Sequence, residues 1–348
     1  MKAEAHSPSG PAVTAKQSSG PASLGRQRSF NDYLQPEYAI VPVLMVVLIV
    51  GTFLHPAFLS FDNFYGIMQQ ASELSVLTMG LTLVLIAGKF DLSLESTFGL
   101  APMLGVFCFM QVQGGSLGLT DSPVLALLAM FAVAAAIGAF NGALVVYLKF
   151  NAFIATLATL ILLRGVSLGV SQGQTLYSLP QSITAPGQAS LFSIPVSFLI
   201  ALGLLCVLSV FMSRHRLGRM LYAVGGNVQA ARVAGIPVER MLIGVFIVAG
   251  VLAALAGLLQ AGRIASIPSS LGQNLIFNAF AAAVLGGVSL NGGRGTVAGA
   301  CGGVLLLVLI QNVLVLAQVP AYWISATTGA IILIALLISK VSGADKGN

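Results

Sequence analysis

About ten apolar runs, most of them long enough to cross a bilayer, dictate what this chain can become. A membrane-spanning helix needs roughly 20 mainly apolar residues. Such runs lie at 38–56, 69–88, 94–113, 123–148, 152–172, 195–213, 241–262, 275–290, 296–317 and 321–339. Backbone that crosses lipid must satisfy its own hydrogen bonds, and a helix does so within one segment. The expected fold class is therefore all-α, a polytopic transmembrane bundle of about ten spans. Composition agrees: 57% of the 348 residues are hydrophobic and 7% are charged, whereas soluble domains are about 25% charged. The eighth run is short and contains Gly286 and Gly287, which reads either as a tilted or broken helix or as a misplaced boundary.

Charge sets the orientation. With the N-terminus in the cytoplasm, Lys89, Lys149, Arg214, Arg216, Arg219, Arg232, Arg240, Arg294, Lys340, Lys346 and the four basic residues of the N-terminal tail fall inside. That is 14 of the 16 Lys plus Arg, and only Arg164 and Arg263 lie elsewhere. The excess of cytoplasmic Lys and Arg predicts both termini inside. The net charge of +6 is thus spent on topology, which argues against a nucleic-acid partner and for membrane lipid. Residues 1–30, rich in Ser, Gly, Pro, Ala and Gln, read as a disordered cytoplasmic tail, and 341–348 as a short cytoplasmic tail. Cys108, Cys206 and Cys301 lie within apolar runs, without the spacing of a metal site or a disulfide framework.

Glycines recur at four-residue spacing in the rows Gly165–Gly169–Gly173, Gly295–Gly299–Gly303 and Gly138–Gly142. Each row offers a flat face for close helix packing, or one that slides during a transport cycle.

One polar segment, 214–240, interrupts the apolar second half. Asn227 is suited to cap a helix, VQAARVA can continue it, and Gly235 followed by Pro237 can end it. A short helix is expected there. The stretch GRMLYAVGGNVQAARVAGIPVERM resembles the cytoplasmic loop of ribose-type ABC importer permeases. FDLSLES (90–96), FIATLATLILLRG (153–165) and AAAVLGGVSLNGGRGTVAGACGG (281–303) resemble further stretches of that family, in its order. The chain departs from the pattern at Gly88-Lys89-Phe90, at Glu95 where glycine is usual, and at Asn278 where an acid is common. The resemblance implies a permease domain over 31–340 whose segment 214–240 couples to ABC ATPase subunits through Gly225, Gly226, Asn227, Ala230, Ala231, Arg232 and Gly235. It also implies a periplasmic sugar-binding protein, a second permease copy or paralogue, and a place in the bacterial inner membrane. The substrate expected is a monosaccharide such as ribose, with a polyol or a furanose-like signalling molecule as the alternative. The chain itself contains no G-x-x-x-x-G-K-[ST] loop, so ATP hydrolysis is assigned to another subunit. No catalytic residue, cofactor or metal is expected.

Candidates for the translocation path or gate are the charged and amide groups of the spans. Arg164 within the fifth span needs a partner or water, and Glu73 on the second is the expected partner. Asp91 and Glu95 fit either capping of the third helix or a gate at its inner mouth. Asn278, with Gln273, Asn274, Asn141, Gln311 and Asn312, can bond sugar hydroxyls or neighbouring helices. Tyr322 and Trp323 suit an interfacial belt. Gly165-Val-Ser167-Leu-Gly169 spells a hydrolase motif, but within an apolar span and with no histidine placed to activate Ser167. An ion-driven secondary transporter is the less favoured rival, since Arg164 alone explains no proton relay.

Overall fold

A computed structural model describes residues 40–344, all within one compact unit spanning 36–348. The N-terminal tail and the last four residues lie outside the described part. Thirteen α-helices account for nearly all of it. In order they are α1 (Ile40–Leu54), α2 (Phe61–Ile86), α3 (Leu94–Phe109), α4 (Pro123–Val146), α5 (Ala152–Ser171), α6 (Gln181–Gln188), α7 (Val196–Arg214), α8 (Arg216–Gly226), α9 (Val228–Val233), α10 (Val238–Ile264), α11 (Leu275–Leu285), α12 (Val297–Leu316) and α13 (Ala321–Ala344). A 3-10 turn, Pro56–Leu59, links α1 to α2. A two-residue hairpin of β1 (Ser190–Leu191) and β2 (Ile194–Pro195) precedes α7.

Six helices are long and apolar enough to cross a membrane: α2, α4, α5, α7, α10 and α12. Four shorter apolar helices, at Ile40–Leu54, Leu94–Phe109, Leu275–Leu285 and Ala321–Ile334, fall in the four remaining predicted runs. The eighth run is resolved as a short helix of 11 residues, about 16 Å long and roughly half a hydrocarbon core. The expected C-terminal tail is also shortened, because α13 continues to Ala344. Helix α6 and the hairpin correspond to no predicted element.

The centre of the bundle is α2. Every residue from Ala71 to Ala87 is buried, and α10, α12, α7 and α11 pack around it. Small residues permit the close approaches that stabilise helix pairs in lipid. Gly80 sits on the backbone of Ala249, Gly138 on that of Phe246 and Ile247, and Gly303 on the carbonyl of Ala282. Two of the three glycine rows are thereby packed. The row on α5 is not: a Cβ at Gly165, Gly169 or Gly173 would meet nothing among the described residues.

Buried amides stitch the helices laterally. Asn141 of α4 donates to Ser93 Oγ at 2.7 Å and accepts from Thr159 Oγ1 of α5 at 2.8 Å. Asn312 of α12 pairs with Asn63 of α2, and Gln311 donates to Thr328 of α13. For these three amides the helix-bonding reading is the observed one. Ser167 is buried with its hydroxyl against the Met103 sulfur at 3.3 Å, which disposes of the hydrolase motif.

Candidate functional site

Two places in the bundle concentrate function-bearing residues. The first is the polar segment. Helix α8 is capped by His215, whose Nδ1 accepts the Leu217 N–H at 3.2 Å. Asn227 then ends α8 and starts α9, its Oδ1 accepting the Ala230 N–H at 3.0 Å. Gly235 follows with φ +76°, the left-handed geometry that terminates a helix at low cost only for glycine. The predicted cap, helix and stop are all present, and α8 adds three turns that local signals did not reveal. Gly226, Asn227, Ala230, Arg232 and Gly235 are exposed, whereas Ala231 is buried and anchors α9. Val233, exposed at 91%, projects an apolar side chain from the same short helix. Arg232 is joined to Glu239 of α10 at 2.7 Å, an exposed pair worth at most about 1 kcal/mol.

This segment rests on the bundle through backbone. A Cβ at Gly225 would strike the Ile86 carbonyl and the Gly293 nitrogen. The Gly293 N–H donates to that same Ile86 carbonyl at 2.9 Å. Gly292 is pressed against Gly88, and Tyr222 of α8 donates to the Gly295 carbonyl at 2.8 Å. The end of α8, the end of α2 and the loop between α11 and α12 therefore meet at one point. Lys89 and Lys149 line a crevice with Arg232 beside it, so these three basic residues share one end of the bundle.

The second place lies deeper. Arg164 Nη2 on α5 pairs with Glu95 Oε1 on α3 at 2.7 Å, and the two side chains are 19% and 6% exposed. Glu73 on α2 is held by Arg263 at the end of α10, with Nε and Nη2 donating to its two oxygens at 2.6 and 3.0 Å. The expected Arg164–Glu73 pair is thus replaced by two others. Each acid is met by the arginine of a helix packed against its own: α5 lies on α3 and α4, whereas α2 packs on α10. Asp91 does not cap α3, which has no side-chain cap. Its Oδ1 instead accepts from the Ser93 N–H and hydroxyl at 3.0 and 2.6 Å, fixing the buried turn into that helix. Asn278 is half-buried on α11.

Glu95 also addresses α11. Its second oxygen, Oε2, lies near the backbone N–H groups of Asn274 and Ile276, without hydrogen-bond geometry to either. The starts of α3 and α11 therefore meet at this carboxylate. The two departures from the resemblance, Glu95 and Asn278, sit on these two helices. No group of three or more His, Cys, Asp or Glu residues suited to a metal is found among the described residues.

An apolar helical bundle gripped at one end by a capped polar helix pair is the architecture of a membrane permease. Residues 63–336 match the family described as branched-chain amino acid transport system / permease component, and the chain belongs to that family as an ABC-importer permease of the bacterial inner membrane. It is 33% identical over 326 residues to the ribose import permease protein RbsC of Escherichia coli strain K12, covering 91% of this chain and 97% of that protein. It is 36% identical over 295 residues to the autoinducer 2 import system permease protein LsrC of Yersinia pseudotuberculosis, covering 85% and 82% respectively. LsrC of Yersinia pestis strain Pestoides F is 37% identical over 296 residues, with 85% and 82% covered. No solved structure matches the chain.

Proposed function

We propose that this permease imports a monosaccharide or a closely related hydroxylated molecule, driven by ATP hydrolysed on separate subunits. The observation that carries the substrate class is the similarity to RbsC, which runs through 97% of that protein's length. The family description names branched-chain amino acids, but the curated relatives are permeases for ribose and autoinducer 2. The sugar reading follows the relatives, because their similarity covers nearly the whole chain at one residue in three.

The supporting mechanism runs from the polar segment inward. Ten spans place both termini and α8–α9 in the cytoplasm, in keeping with the positive-inside rule. The exposed residues of α9 and its flanks, Gly226, Asn227, Ala230, Arg232 and Gly235, form the contact with the ATPase. Gly225 and Ala231 seat the helices on the bundle. A periplasmic binding protein delivers substrate to the opposite end, and a second permease copy or paralogue completes the path. ATP binding shifts the population between two packed arrangements of the spans, with Arg164, Glu95 and Asn278 facing the path. Glu73 and Asp91 fit structural roles, since each is consumed by a buried partner.

The test is reconstitution with the cognate ATPase and binding protein. Ribose-loaded binding protein is expected to stimulate ATP hydrolysis and drive uptake, whereas a leucine-loaded one is not. Uptake of leucine with no sugar transport would overturn the substrate class.

A further inference from the structure

The start of α11 presents a face that lipid cannot cover. Asn274, Phe277 and Asn278 stand at i, i+3 and i+4, hence on one side of the helix. Asn274 is exposed, Phe277 is 53% exposed and Asn278 half-buried. Depth follows from helix lengths. The far end of α11 reaches the loop that contacts Gly225 and Gly88, so Asn274 lies about 16 Å from the basic end. Arg164 is the thirteenth residue of α5, whose start adjoins Lys149, which places it about 18 Å from the same end. Both estimates fall near the middle of a hydrocarbon core of roughly 30 Å. Polar groups at that depth face a water-filled cavity or protein, not acyl chains.

The groups gathered there have a specific chemistry. The Asn274 amide makes no side-chain hydrogen bond among the described residues, nor does that of Asn278. Arg164 uses one N–H on Glu95 out of five available. Glu95 Oε2 is buried without a hydrogen-bond partner. Donors and acceptors are thus interleaved around an exposed aromatic ring. A sugar hydroxyl both donates and accepts, and the apolar faces of a sugar ring suit packing on an aromatic side chain. A branched-chain amino acid would instead require its charged ends matched, and here both charges already answer each other.

We propose that Asn274, Phe277, Asn278, Arg164 and Glu95 form a recognition station for polyhydroxylated substrate at mid-depth in the permease. The proposal deepens the sugar-importer reading and rests on it. The station discriminates in passage and holds its ligand weakly, because its donors are shared with an ion pair.

The experiment uses the reconstituted complex with Cys108, Cys206 and Cys301 replaced by alanine and Asn274→Cys introduced. A membrane-impermeant cationic thiol reagent is expected to label the new cysteine. D-ribose is expected to slow that labelling and L-leucine to leave it unchanged. Val207→Cys, on an exposed apolar position of α7, is the lipid-facing control and should stay unlabelled. In the same complex Phe277→Ala should raise KM for uptake about tenfold, the loss of a contact worth roughly 1 kcal/mol, with ATP hydrolysis per transported molecule unchanged. Labelling that ribose does not slow overturns the station. Absence of labelling in every nucleotide state, while Ala230→Cys in α9 is labelled, also overturns it. Failure of the importer reading would appear separately, as a lack of ATP-dependent uptake by the unsubstituted complex.

Discussion

Breaking Glu73 from Arg263 should be far more damaging than removing both. Glu73 is 4% exposed and its two oxygens are held by one guanidinium at 2.6 and 3.0 Å. Arg263→Gln leaves a buried carboxylate without its counter-charge, which costs about 3–5 kcal/mol for a buried pair. The Arg263 side chain retains 26% exposure, so water reaches the site and the lower end, about 3 kcal/mol, is expected. That is roughly a hundredfold in the folded-to-unfolded ratio. Glu73→Gln should cost somewhat less, because the arginine can turn toward solvent. The Glu73→Gln/Arg263→Gln double variant removes both charges and should lie within about 1.5 kcal/mol of the parent, a coupling energy of about 2 kcal/mol. Glu95→Gln with Arg164→Gln should couple similarly. The cross-combination Glu73→Gln with Arg164→Gln should be additive within about 0.5 kcal/mol. The assay is the fraction of detergent-solubilised protein that stays monodisperse after heating. Coupling between Glu73 and Arg164, or additivity between Glu73 and Arg263, would refute the assignment of partners.

Three further outcomes are expected. Gly235→Pro replaces a residue at φ +76° with one locked near −65°. It should insert normally and lose binding-protein-stimulated ATP hydrolysis; normal stimulation would remove α9 from the coupling role. Asn141→Leu breaks the bonds to Ser93 and Thr159 and leaves both hydroxyls short of a partner, so a loss of about 2 kcal/mol in thermal stability is expected; an unchanged melting profile would show that these bonds carry no weight. Cysteines placed at 186 and 230 should react with an impermeant reagent from opposite sides of the membrane, and labelling of both from the periplasm in spheroplasts would overturn the topology.

How much could be read from the chain depended on the range of the interactions involved. The α9 signals are local: cap, helix and stop lie within nine residues, Asn227 to Gly235, and all three appear as expected. The apolar runs were equally legible, because burial in lipid writes itself into continuous composition. The ion pairs were not. Glu73 and Arg263 are 190 residues apart, and with two acids and two arginines among the spans only packing chooses the match. Side of the membrane was too coarse a guide, since α2 and α5 each turn to a different neighbour. The half-length of α11 was visible only as a short run with two glycines. That its start would meet Glu95 of α3 had no local signature.

The junction of Gly225, Ile86 and Gly293 has a mechanical consequence. Side-chain contacts yield: a rotamer change absorbs a displacement of an ångström or so before it is passed on. At this junction peptide groups touch peptide groups, with no side chain interposed to flex. Force arriving on α8 is therefore delivered to the foot of α2 with little lost motion, as through a stiff bearing in place of a spring. The same stiffness removes the usual remedy for error. A bulky residue at 225 has no neighbouring side chain that could be trimmed to receive it, so the junction admits no second-site repair within its own walls.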